Sequence, residues 1–179
     1  LMYWQVYLHK TVLCAEQMLK RIIKRAKQIK AATQQPLHNF ITQPIQTITL
    51  QEFCSLDDYD VMAAIKGWCN HEDKILSFLC NGIINRQLLK VECFGVPVNQ
   101  KLVKEQITEA AAWLNISEAD AGWLVFTGEV TSNTYNASEE HIQILFKDGT
   151  VKDISEVDNA LINENLMGKV KKYYICYLR

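Results

Sequence analysis

The 179-residue chain is 49% hydrophobic and 22% charged, which argues against disorder and fits one large globular domain or two small ones. Its formal net charge of −1 excludes polyanion binding by overall charge, so any attraction to phosphate must be local. No apolar run approaches the roughly 18–20 residues that span a bilayer, and the first segment is too polar for the apolar stretch of a signal peptide.

The opening LMYWQVYLHKTVLCAEQMLKRIIKRAKQIK reads as one long helix over residues 2–31. Met2, Val6, Leu13, Leu19, Ile22, Ile23, Ala26 and Ile29 recur at near-helical spacing, and no Gly or Pro intervenes before Pro36. QQPLHNFITQPIQ, with two prolines, reads as a loop or an extended connector. A run of short helices follows, with N-cap candidates at Thr49, Ser55 and Asn70 and acidic residues in the first turns. After Arg86 the pattern changes. LLKVECFGV has strand character, with Leu89, Val91 and Cys93 on one face. NQKLVKEQITEAAAWLN reads as a helix and GWLVFTGEV as a strand. EHIQILFKDGTVKDI reads as two strands turning at Asp148-Gly149, SEVDNALINENL as a helix, and VKKYYICYL as a final strand. The order β-α-β-β-α-β with an added hairpin predicts a ferredoxin-like antiparallel α/β sandwich. The fold class is therefore α+β: a helical part over 1–87, with a long first helix and short helices, then a sheet-based part over 88–179.

Six cysteines lack any C-x-x-C pair and sit mostly among apolar neighbours, which predicts buried reduced thiols in a cytoplasmic protein and no zinc. Tyr3, Tyr7 and Lys10 share one side of the predicted helix. They read either as half-buried tyrosines beside a solvated lysine, or as a face whose phenols and ammonium contact phosphate. His9 stands alone and reads as structural. KRIIKRAKQIK is basic, but it lacks interleaved aromatics and ends a helix, where the dipole favours cations. It therefore reads as a solvated helix end rather than a nucleic-acid site. Arg86 and Lys90 bracket a helix-to-strand junction, as a capped helix end with a solvated strand residue or as a phosphate-binding pair. Asp57, Asp58 and Asp60 read as helix capping rather than a calcium loop. No Gly-rich phosphate loop, G-x-S-x-G or H-E-x-x-H occurs.

YWQVYLHKTVLCAEQML resembles the helix that follows the metal-binding core in HD-domain phosphohydrolases of the deoxynucleoside triphosphate triphosphohydrolase type. SLDDYDVMAAIKGWCNHEDKILSFLCNGIINRQLLKV resembles a downstream Leu-Asp-Asp to Arg-x-Leu-x-Lys segment of the same family. The resemblance implies a C-terminal piece of a larger enzyme, cut mid-helix. No adjacent His-Asp pair occurs, so the divalent metal and its ligands are expected upstream in the parent, with no metal or cofactor in this piece. The apolar stripe of the first helix would then face a missing catalytic core or a partner chain. By the same resemblance Tyr7 contacts substrate sugar or phosphate, and Tyr3 stands where relatives carry a polar substrate-facing residue. Lys10, Arg86 and Lys90 correspond to residues that bind phosphates of a regulatory nucleotide. The implied partners are a nucleotide substrate or effector and further copies of the chain. The competing reading is a non-catalytic module for oligomerisation or partner binding.

Overall fold

The computed structural model describes residues 9–132, 142–153, 157 and 170–178. Helices occupy the first half: α1 (Lys10–Ile29), α2 (Leu37–Thr42), α3 (Leu50–Ser55), α4 (Asp58–Trp68) and α5 (Lys74–Ile84). The second half carries β1 (Lys90–Phe94), α6 (Gln100–Leu114), α7 (Glu118–Ala121), β2 (Phe126–Ser132), β3 (Gln143–Leu145), β4 (Val151–Asp153) and β5 (Val170–Tyr177). The chain is α+β, with helices leading and a small antiparallel sheet following.

The long first helix begins later than its periodicity suggests. His9 is extended at φ −62° and ψ 134°, and its Nδ1 accepts the Thr11 N–H at 3.3 Å. It caps the helix instead of continuing it. Tyr3 and Tyr7 lie outside the described residues, and so does the predicted helix SEVDNALINENL.

α1 buries Leu13, Cys14, Met18, Ile22 and Ala26, spaced to form one face. That face meets α5, β1 and α2, so the stripe from Leu13 to Ala26 packs into the chain's own core, while Leu19, expected in the stripe, is exposed, and Met2 and Val6 lie outside the described residues. The expected connector over QQPLHNFITQPIQ instead folds as α2 and a short 3-10 turn at Ile45–Thr47. Leu37, Phe40 and Ile41 are buried at helical spacing, and tertiary burial overrides the flanking prolines. α3 starts at Thr49, whose side chain and Glu52 form a reciprocal capping box. The other two caps shift. Asp57, not Ser55, caps α4, in a box with Asp60. Asp73, not Asn70, caps α5. In both, the carboxylate nearest the helix outcompetes the earlier polar residue.

The sheet has the order β1-β5-β2, both pairs antiparallel. β5 thus inserts between two strands joined through α6, which is a split β-α-β unit. β3 and β4 form a separate hairpin, closed at Gly149, whose φ of +83° suits glycine. One sheet face carries Val91, Phe126, Tyr174 and Cys176 and joins the core built on α1 and α5. The other carries Phe94, Val125 and Ile175 and packs on α6. The predicted boundary at 87/88 falls between α5 and β1, and the main core runs across it.

Candidate functional site

Three elements meet at the outer edge of the sheet: the start of α1, the end of α5, and β1, an edge strand of the three-stranded sheet. The Cys14 thiol donates to the Leu89 carbonyl at 3.3 Å and ties the start of α1 to the beginning of β1. Between them lies a groove of about 1070 Å³. Lys10, Arg86 and Lys90 all line it. They come from three elements, and sequence periodicity gives no reason for them to meet.

Each cation is held differently. Lys10 is the first residue of α1, whose first turn contains no acidic side chain. The partial positive charge of a helix N-terminus disfavours a cation there and favours an anion, by roughly 0.3–1 kcal/mol. Arg86 follows α5 in a left-handed conformation, φ +57°. Its N–H donates to the Ile83 carbonyl at 3.3 Å, and the Gln87 N–H donates to the Gly82 carbonyl at 2.8 Å. These two bonds make a Schellman motif with arginine where glycine is usual. Lys30 after α1 and Asn115 after α6 end their helices in the same way. Among the described residues Lys10 and Arg86 make no ion pair. Lys90 does: its Nζ lies 2.8 Å from Glu92 and 5.2 Å above the Tyr177 ring. The bond to Glu92, then that to Tyr177, raises the Lys90 ammonium above the ordinary lysine value, and Lys90 in turn lowers the Glu92 carboxyl. The groove thus presents two uncompensated cations and one half-neutralised cation.

The remaining candidates are accounted for. Asp57 and Asp60 cap α4, as their pattern implies, and Asp58 lies in its first turn. His9 caps α1. The basic stretch of α1 is not wholly solvated. Arg21 lies 3.9 Å over the Phe126 ring and donates to the Gly122 and Trp123 carbonyls at 3.5 and 3.4 Å. Arg25 forks onto Asp73 and also pairs with Asp120 at 3.1 Å. These arginines clamp α1 to the sheet-side elements, because both stand next to its buried stripe. Cys14, Cys80 and Cys176 are buried thiols, whereas Cys54 and Cys93 are exposed, contrary to the expectation of general burial. Among the described residues no group of three or more His, Cys, Asp or Glu side chains is placed to hold a metal ion.

Sequence reasoning missed the aromatic wall of the groove. Phe78 from α5 and Trp113 from α6 meet edge to face, 6.3 Å between centroids and 83° between planes. The signal was present: Val103, Ile107, Ala110 and Ala111 form the packed stripe of α6, and Trp113 falls outside it.

The fold is similar to part of a solved phosphohydrolase. The chain superposes on a crystal structure of a phosphohydrolase from Bacteroides thetaiotaomicron VPI-5482 with a TM-score of 0.90 and 38% identity, over 99% of this chain and 47% of that one. It is 30% identical over 176 residues to the uncharacterized protein YwfO of Bacillus subtilis (strain 168), covering 94% of this chain and 40% of the relative. The chain therefore spans less than half the length of either protein. No protein-family model matches it. No helix among the described residues is long and apolar enough to cross a membrane.

Proposed function

We propose that this chain is a segment of an HD-type nucleotide phosphohydrolase, and that its groove binds the phosphates of a nucleoside triphosphate, as substrate or effector, through Lys10, Arg86 and Lys90. The observation that carries the reading is the convergence of these three cations on one groove beside an unneutralised helix N-terminus. Helix N-termini bind anions through free N–H groups and the dipole. Each charge-assisted hydrogen bond to phosphate adds roughly 1.5–3 kcal/mol. The likeness to a phosphohydrolase supplies the reaction class, and the resemblance of both sequence stretches supplies the HD type and deoxynucleoside triphosphates as the ligand class. In this reading Tyr7 and Tyr3 contact substrate. The hydrolytic metal in this reading belongs to the parent enzyme, as the sequence resemblance implies, and no step here runs through one.

Calorimetric titration of deoxynucleoside triphosphates into the chain, at low and physiological salt, tests the proposal. Binding is expected, weaker in salt and weakened at least fivefold in Lys10→Ala and in Arg86→Ala. Absence of binding, or equal binding by the wild type and both variants, overturns it.

A further inference from the structure

The groove is polar at one end and aromatic at the other. Phe78, Gly82 and Arg86 follow one another at intervals of four along α5 and its cap, so they line one side of it. At about 1.5 Å of rise per residue, Phe78 and Arg86 are on the order of 12 Å apart along the axis. Between them Gly82 adds no side chain. The cationic end is Arg86 with Lys10, and the far end is Phe78 with Trp113.

Trp113 is 69% exposed, although it is the largest apolar side chain on α6. Core packing does not explain it: the α6 stripe that meets the sheet runs through Ile107, Ala110 and Ala111. Phe78 covers only part of the indole, by an edge-to-face contact. An exposed indole beside a cationic groove suits a flat π-system carried on an anion. A bare polyphosphate would use the cations and leave the indole in water, whereas an acyl chain would use the indole and leave the cations unmatched.

We propose that Trp113, backed by Phe78, is the base subsite of this groove, with the nucleobase stacked on the indole and the phosphates directed toward Arg86 and Lys10. The inference rests on the phosphate-binding reading of the groove and adds to it that the ligand is recognised through its base. Stacking tolerates any base, because every base has a π-face, so the subsite favours nucleotide over polyphosphate more than one base over another.

The test compares inorganic tripolyphosphate with each of the four deoxynucleoside triphosphates, titrated into wild type, Trp113→Ala, Trp113→Phe and Arg86→Ala. Wild type is expected to bind the nucleotides about 5- to 150-fold more tightly than tripolyphosphate, the worth of one base–aromatic stack. Trp113→Ala should erase that preference and leave tripolyphosphate affinity unchanged, and Trp113→Phe should retain most of it. Arg86→Ala should weaken both kinds of ligand. Because Trp113 is exposed, the variants should keep the wild-type circular dichroism. Equal wild-type affinity for nucleotide and tripolyphosphate, or a nucleotide preference that survives Trp113→Ala, overturns the base subsite while the phosphate reading stands. If neither ligand binds wild type, both readings fall.

Discussion

Arg86 holds a backbone conformation that glycine would adopt without a Cβ clash, and Lys30 holds the same one at the end of α1. A left-handed L-residue costs roughly 1–2 kcal/mol, partly offset by the larger unfolded-state entropy of glycine. Arg86→Gly and Lys30→Gly should therefore each raise stability by about 0.5–1 kcal/mol, measured as the urea midpoint. Only Arg86→Gly should lose nucleotide affinity; equal binding by the two variants would make arginine at this cap incidental. Arg25 shows the opposite case, a cation held for structure. Burial alone would raise the Asp73 carboxyl, but hydrogen bonds from Arg25 and the Leu76 N–H, with the charge of Arg25, hold it below its ordinary value. Since the folded value lies under the unfolded one near about 3.9, the stabilisation is complete above about pH 4 and is lost as pH falls through the folded value. The wild type should lose stability in that acid window, and Asp73→Asn should show a flatter profile there. Arg25→Met, which strands Asp73 with a charge only 16% exposed, should cost about 3 kcal/mol near neutral pH. A midpoint unmoved by Arg25→Met would show that solvent compensates Asp73 without its partner.

At the scale of elements, the start of α1 sets helix stability against ligand binding. Lys10 opposes the dipole of its own helix, so Lys10→Glu should stabilise the chain by roughly 0.3–1 kcal/mol while weakening binding of any polyphosphate. Stabilisation without loss of binding would remove Lys10 from the site. On the sheet, Gly128 pairs with Tyr174 across β2 and β5, and a Cβ at Gly128 would overlap the Tyr174 ring. Tyr174 is 4% exposed and has little room to move, so Gly128→Ala should cost about 1–3 kcal/mol by overpacking. A thermal midpoint equal to wild type would show that the ring shifts freely. These elements also show what the sequence made legible. The Leu13, Ile22 and Ala26 part of the α1 stripe, the Thr49 cap, α6 and the Asp148-Gly149 turn rest on local patterns, and these appear. α2 did not show, because six residues between prolines carry too short a period to read, and their helix depends on burial against the core. The start of α1 was hidden because a histidine cap breaks no hydrophobic period. Residue type and position raised Lys10, Arg86 and Lys90 as phosphate candidates and the resemblance favoured that reading, whereas for Trp113 only its place off the α6 stripe was legible: its partner Phe78 is 35 positions away, and joining the two required the fold.

For the whole molecule, the question is whether helices and sheet fold as one unit. The main core draws Cys14, Met18 and Leu79 from the helices and Leu89, Phe126 and Tyr174 from the sheet side, so neither half closes its core alone. The Arg21 contacts with β2 and the Arg25 pair with Asp120 cross the same divide. The groove lies on this seam, with Lys10 and Arg86 on one side and Lys90 and Trp113 on the other. Its geometry therefore depends on the halves staying docked. Leu79 is fully buried in α5, and truncating a buried leucine to alanine costs about 2–5 kcal/mol. If the core is shared, Leu79→Ala should lower native-state hydrogen-exchange protection at the slowest β5 amides by the same free energy as at the slowest α5 amides, because both exchange only through global unfolding. Loss confined to α5, with β5 protection unchanged, would show that the sheet outlives the helices. The groove would then be an interface between separately folding parts, and nucleotide binding should restore α5 protection in the variant without altering β5.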